Sequence, residues 1–143
     1  MTLYTIGYAG RTIGAFIDRL RDAGVTHLAD VRAVAGSRNK AFCKGALREA
    51  LEGAGIAYVH LKALGTPKPG REAAKAGDMP TFTAISTAQL DTAEAALDLE
   101  KALDLARDGT ICLMCMESSA EHCHRTLVAD RLAPRLGVPV EHL

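Results

Sequence analysis

Short apolar segments alternate with amphipathic segments along the whole chain. Five segments rich in apolar and β-branched residues predict strands, at residues 3–6, 26–31, 56–61, 111–116 and 138–143. Apolar residues recur at helical spacing between them and predict helices at residues 13–23, 47–51, 88–106 and 125–136. We therefore expect a single-domain α/β fold over residues 1–143, a Rossmann-like three-layer sandwich whose five-stranded, mainly parallel sheet carries helices on both faces. A strand order of 3-2-1-4-5 would place the first and fourth strands side by side.

Residues 62–86 show no sustained period of apolar positions. Prolines and glycines interrupt this segment, among them Pro67, Pro69, Gly65, Gly70 and Gly77. A connection of this length in a compact domain is usually a lid, a binding loop or disordered. The sequence predicts a long irregular loop that could act as a lid.

Charge and composition restrict the expected partners. The 17 basic and 17 acidic residues balance, so no global basic field favours nucleic acid, and any anion must be recognised locally. Three Tyr, three Phe and no Trp argue against stacking platforms for single strands. No segment approaches the roughly 18 apolar residues of a membrane span, and no basic leader is recognised, so we expect a cytoplasmic protein without a membrane partner. In that compartment the four cysteines should be free, catalytic or metal-bound rather than disulfide-bonded.

The most informative stretch is TICLMCMESSAEHCHR, residues 110–125. A buried strand is followed by Glu117, and the next helix begins with Cys123, His124 and Arg125. Open α/β folds bind ligands at such a carboxyl end of a strand. Burial at the strand end would suit Glu117 to general acid/base catalysis. The alternative is that Glu117 pairs with an arginine and only stabilises the turn.

The cysteines of this stretch allow several kinds of chemistry. Strand alternation sends Cys112 and Cys115 to opposite faces, so redox chemistry through this C-x-x-C pair is rejected. Cys123, close to a helix N-terminus, could be a nucleophile, whereas Cys115 could equally be a small buried hydrophobe. Zinc binding by Cys115, His122, Cys123 and His124 remains an alternative, although the usual paired spacing is absent.

Two earlier strand ends add candidate ligand-binding residues. The first strand runs into Gly7 and Tyr8, where backbone N–H groups could bind a phosphate or the glycine could merely allow a tight turn. On the second strand Asp30 and Arg32 share a face, so they form either a structural ion pair or an arginine oriented toward an anion. Ser37 and Arg38 follow closely.

The motifs TIGYAG, DVR with a following SR, GIAYVHL-x-x-LG, and C-x-E with a later CHR together resemble a family, Domain of Unknown Function 488, over nearly the whole chain. The chain departs from the family pattern at Ala35, where a proline is frequent, and at Thr66, where a second glycine is frequent. The resemblance supports the fold and the site but implies no particular reaction. The family pattern falls on Gly7, Asp30, Arg32, Ser37, Arg38, Tyr58, Leu64, Gly65, Cys115, Glu117, Cys123, His124 and Arg125.

Three functions of different classes follow from these residues. The first is an enzyme acting on a phosphorylated small molecule, a nucleotide or a nucleic-acid end, with Arg32, Arg38 and Arg125 holding the anion. Glu117 would be its general acid/base and His124 a proton relay, with Cys115 or Cys123 as an alternative nucleophile. The second is a non-catalytic nucleotide- or partner-binding module, and the third is a zinc-binding domain. The sequence specifies neither a cofactor nor an oligomeric state.

Overall fold

The computed structural model describes residues 1–117 and 123–143 of the chain, and the account of the structure concerns these residues. They form an α/β domain with a five-stranded sheet in which every strand pairing is parallel, which confirms the predicted fold class. None of the helices in these two ranges has the length and apolarity needed to cross a membrane. The strands are β1 (Leu3–Gly7), β2 (His27–Asp30), β3 (Ala57–His60), β4 (Ile111–Cys115) and β5 (Val140–His142). The helices are α1 (Ile13–Asp22), α2 (Lys44–Gly53), α3 (Lys68–Lys75), α4 (Met79–Leu90), α5 (Ala93–Asp108) and α6 (His124–Leu136), with short 3-10 turns at Lys40–Phe42 and Lys62–Leu64.

Two apolar cores cover the two faces of the sheet. Strand β4 contributes side chains to both cores, because successive side chains of a strand point to opposite faces of the sheet. Leu113 and Cys115 lie in one core, and Met114 lies in the other. Helices α5 and α6 pack in the first core, whereas α1 and α2 pack in the second. The fold is therefore the predicted three-layer sandwich.

The strand order is β3-β2-β4-β1-β5, and the predicted order was wrong in one respect. The first and fourth strands are neighbours as expected, but β4 lies between β1 and β2. All five residues of β4 are buried, whereas β3 and β5 are partly exposed, so the most apolar strand occupies the centre of the sheet. The chain leaves β2 toward one edge of the sheet and leaves β4 toward the other. Their carboxyl ends therefore bound a crevice of the kind in which open α/β sheets bind ligands.

The segment 62–86 is not an irregular loop, so that prediction was wrong. It contains the 3-10 turn at Lys62–Leu64, all of α3 and most of α4. Pro69, which suggested a break, and Pro80 lie at the starts of these two helices, where the missing N–H costs nothing. The apolar residues of α4 are spread around the helix rather than along one stripe, which removed the periodic signal.

The helix predicted at residues 88–106 is interrupted near its beginning. Helix α4 ends at Leu90, and α5 begins at Ala93. The side chain of Thr92 caps α5 by accepting a hydrogen bond from the backbone N–H of Ala95 at 3.1 Å. The N-cap at Thr92 therefore begins a new helix inside the range that the apolar pattern predicted as one continuous helix.

Candidate functional site

A cavity of about 600 Å³ opens at the carboxyl ends of β2 and β4. Its volume is typical of sites for small molecules. Helix α3 and the start of α4 form its outer wall, opposite the strand ends and the first residue of α6. The described residues that line it are Tyr8, Arg32, Ala33, Val34, Gly36, Thr66, Arg71, Ala74, Lys75, Met79, Phe82, Cys115, Met116, Glu117, Cys123 and His124.

Cys123 and His124 both face this cavity. Cys123 is the N-cap of α6 and has extended backbone angles, φ −126° and ψ 140°. Its sulfur accepts a hydrogen bond from the backbone N–H of Arg125 at 3.4 Å. Nδ1 of His124 lies 3.8 Å from the same sulfur. The helix start therefore places a cysteine sulfur and an imidazole nitrogen close together.

The opposite nitrogen of His124 fixes the orientation of the ring. Nε2 lies 2.6 Å from the carbonyl oxygen of Val31, so it carries the proton and donates it to that carbonyl. Burial lowers the pKa of His124 below its ordinary value, and this backbone hydrogen bond only partly opposes the effect. The ring is thus neutral near pH 7, with Nδ1 as an acceptor on the side of the Cys123 sulfur.

Arg125 is a structural link beneath the cavity rather than a residue of its wall. It is 2 % exposed, and its Nε donates to the hydroxyl of Thr5 at 3.2 Å. Nη1 donates to the sulfur of Cys115 at 3.3 Å and to the backbone carbonyl of Glu117. Arg125, on α6, therefore connects the end of β4 with β1 through its hydrogen bonds.

Gly7 allows the chain after β4 to approach β1. A Cβ added at Gly7 would lie 1.7 Å from the carbonyl oxygen of Glu117 and 2.9 Å from Nη1 of Arg125. The next residue, Tyr8, donates its backbone N–H to the carbonyl of Cys115 at 3.1 Å. Gly7 is therefore needed for close approach of two backbone segments, which is neither of the two interpretations offered by the sequence.

Asp30 and Arg32 form a buried ion pair. The Asp30 carboxylate accepts Nε of Arg32 at 2.8 Å, Nη2 at 2.7 Å and the hydroxyl of Tyr58 at 2.5 Å. Burial alone would lower the pKa of Arg32, but the hydrogen bonds and charge of Asp30 raise it above its ordinary value. Nη1 of Arg32 donates to the carbonyls of Gly36 and Phe42. These contacts favour the structural interpretation, in which the pair shapes one wall of the cavity.

Two cationic side chains of α3 also line the cavity, and they were not predicted from the sequence as site residues. Arg71 is half-buried and donates from Nη1 to the carbonyl of Thr66 at 2.9 Å, and Lys75 is exposed at the cavity. Helical spacing, i and i+4, places both on one face of α3. That spacing could have identified them, had the segment been recognised as a helix.

The remaining candidates lie away from the cavity centre. Ser37 accepts a hydrogen bond from the backbone N–H of Asn39 at 3.1 Å and stabilises a local turn. Arg38 is exposed and lies outside the described residues that line the cavity. His122, considered as a zinc ligand, lies outside the described residues.

Glu117 lies at the cavity, but its side chain is exposed rather than buried. The buried contact at this position is made by its backbone carbonyl, which accepts from Arg125. The carboxylate can therefore meet a ligand, and the burial that the sequence suggested for this side chain is not observed.

A disulfide joins Cys115 to Cys123, so the expectation that all four cysteines lack disulfides was wrong. Eight residues separate them in sequence, but the end of β4 and the N-cap of α6 bring their sulfurs together. Cys43 and Cys112 are free. Cys112 and Cys115 belong to opposite cores, as predicted, and burial raises the pKa of the Cys112 thiol and keeps it unreactive.

Comparison with known proteins gives one match. A family model described as Domain of unknown function DUF488 matches residues 12–132. No curated protein and no solved structure matches the chain.

Proposed function

The chain belongs to the family Domain of unknown function DUF488, and we propose that it is an enzyme acting on a phosphorylated small molecule or nucleotide. The observation that carries this proposal is the cavity at the carboxyl ends of β2 and β4. Cationic side chains of α3 line one side of it, and a carboxylate, an imidazole and two sulfurs line the other. Groups that can hold an anion thus face groups that can move protons.

The proposed anion contacts are Arg71 and Lys75. Arg32 also lines the cavity, but Nε and Nη2 already donate to Asp30, and Nη1 donates to two backbone carbonyls. The exposed ammonium of Lys75 and the half-buried guanidinium of Arg71 are better placed to pair with phosphate oxygens.

Glu117 is the proposed general acid/base and His124 the proposed relay. The exposed carboxylate of Glu117 borders the cavity, so a bound substrate can reach it. Nδ1 of His124 can accept a proton from a group in the cavity, because Nε2 already donates to Val31. A thiol nucleophile would first require reduction of the bond between Cys115 and Cys123.

The test of binding is a thermal-shift screen of nucleotides and sugar phosphates on four proteins: wild type, Lys75→Ala, Arg71→Ala and Lys68→Ala. Lys68 is exposed on the same helix outside the cavity lining and is the matched control. A ligand at a hundredfold excess over its Kd stabilises the native state by roughly 2.7 kcal/mol. We expect a shift of several degrees in wild type and Lys68→Ala, and a loss of roughly tenfold or more in affinity in the two cavity variants. Equal shifts in all four proteins would refute the assignment of the anion contacts.

The test of catalysis is turnover of the ligand that the screen identifies. Removing a general acid/base costs roughly 10²–10⁴-fold in rate, so Glu117→Gln should lose activity while still binding. Glu52→Gln, an exposed substitution on α2, is the matched control. Binding without turnover by wild type would instead identify a ligand-binding module.

A further inference from the structure

Three side chains at the floor of the cavity can ligate a metal ion. Ligand atoms of Cys115, Cys123 and His124 all lie within 4.8 Å of one another. Around tetrahedral zinc, with Zn–S of about 2.3 Å and Zn–N of about 2.1 Å, neighbouring ligand atoms are roughly 3.5–4 Å apart. After reduction, the sulfurs of Cys115 and Cys123 would separate to van der Waals contact, a distance close to that between two ligand atoms of zinc.

His124 is already oriented as metal-binding histidines are. Such histidines usually donate their second ring N–H to a carbonyl or carboxylate, which fixes the tautomer and aims the other nitrogen at the metal. Here Nε2 donates to the carbonyl of Val31 at 2.6 Å, and Nδ1 lies 3.8 Å from the sulfur of Cys123. No rotation of the ring is needed to present Nδ1 to an ion beside Cys123.

Both sulfurs have donors that stabilise thiolates. The guanidinium of Arg125 lies 3.3 Å from the sulfur of Cys115, and the backbone N–H of Arg125 lies 3.4 Å from the sulfur of Cys123. A cation and a helix N-terminus favour the thiolate, which is the form that binds metal. Both donors could keep their hydrogen bonds to the two sulfurs around a bound ion.

We propose that reduction of the bond between Cys115 and Cys123 creates a zinc site formed by both thiolates and Nδ1 of His124. The inference goes beyond the proposed function, because it requires no anionic ligand. Two cysteines and one histidine with a remaining open position form a known type of catalytic zinc site. All three residues line the cavity, so a water or substrate could occupy that position.

Breaking the disulfide between Cys115 and Cys123 requires a dithiol reductant. The reductant gives up two electrons and two protons and becomes a disulfide, while the bond between the Cys115 and Cys123 sulfurs breaks and each sulfur becomes a thiol. Binding of Zn²⁺ then displaces the two thiol protons into solvent. The oxidised protein has no thiolate at this position, so zinc binding is restricted to the reduced form.

The test compares reduced and oxidised wild-type protein and therefore needs no substitution. Each form is titrated with Zn²⁺ against a chromophoric chelator, and Co²⁺ is then used as a spectroscopic probe for thiolate-to-metal charge transfer. We expect one Zn²⁺ per chain and a charge-transfer band in the reduced form, with neither in the oxidised form. Equal binding by both forms, or none by the reduced form, would overturn the proposal.

Variants identify the ligands. Under reducing conditions, Cys123→Ser should weaken zinc binding at least a hundredfold, and His124→Gln at least tenfold. Cys43→Ser removes a free cysteine away from the cluster and is the matched control, with binding expected to match wild type. Circular dichroism verifies that each variant is folded. Binding that survives in Cys123→Ser and His124→Gln, or that disappears in Cys43→Ser, would contradict the assigned ligand set.

Discussion

Replacing Gly7 with alanine should destabilise the fold. The cause would be a collision with the chain after β4, not a loss of strand propensity in β1. The new Cβ would lie 1.7 Å from the carbonyl oxygen of Glu117, so that carbonyl must retreat by more than an ångström. The retreat removes its hydrogen bond from the buried guanidinium of Arg125. A hydrogen bond to a charged group contributes about 1.5–3 kcal/mol, and overpacking costs about 1–3 kcal/mol. We expect the free energy of unfolding to fall by about 3–5 kcal/mol.

Urea denaturation followed by circular dichroism measures this loss. Typical domains have a total stability of about 5–15 kcal/mol, so the expected loss would lower the urea midpoint substantially. Gly14→Ala on α1 is the matched control, because a Cβ there meets nothing within 4 Å. In a helix this change should be neutral or stabilising by up to about 1 kcal/mol. A Gly7→Ala protein within about 0.5 kcal/mol of wild type would refute the close approach of β1 to the chain after β4.

Three further perturbations test the walls of the cavity. Asp30→Asn should lower the free energy of unfolding by about 3–5 kcal/mol, because Arg32 would remain buried without its counter-charge. The pKa of His124 is lowered from 6.5 by burial, so the unfolded chain takes up this proton first as the pH falls. Stability should therefore decline below about pH 6.5 in wild type, and the decline should be smaller in His124→Gln. Gly70→Ala should cost about 1–3 kcal/mol, because its Cβ would lie 2.5 Å from Cγ2 of Thr66. The cost should shrink in a Thr66→Ser background, which removes that methyl group.

Each of these predictions has a contradicting result. Equal urea midpoints for wild type and Asp30→Asn would mean that the ion pair does not support the wall. Parallel pH profiles for wild type and His124→Gln would contradict the burial of a neutral imidazole. A Gly70→Ala penalty that is unchanged by Thr66→Ser would contradict the close approach of Gly70 to the methyl group of Thr66.

The strand and helix that bear the site could be predicted from local sequence. The apolar run before Glu117 is too short for a helix, and its residues 111–115 form a buried strand. Cys123 lies directly before the helix that follows. Alternation along the strand also separated Cys112 from Cys115 correctly. Such inferences succeed because the period of two and the position of a helix start depend only on neighbouring residues.

The parts that depend on long-range packing could not be predicted. Local patterns do not reveal that β4 inserts between β1 and β2, nor that the sulfurs of Cys115 and Cys123 meet. Arg71 and Lys75 were missed because the proline and glycine residues of α3 conceal a helix, and their position opposite β4 is set by tertiary packing. Arg32 was predicted as an anion ligand or an ion-pair partner, and only its surroundings favour the second.

We propose that a phosphorylated ligand binds at the carboxyl ends of β2 and β4. The most direct test is a titration of the screened ligand, followed by backbone amide chemical shifts in isotope-labelled protein. We expect the shift changes to concentrate at residues 32–36, 71–79 and 115–117, which border the cavity, and to weaken in Lys75→Ala but not in Lys68→Ala. Changes concentrated elsewhere, or equal changes in the two variants, would contradict the claim.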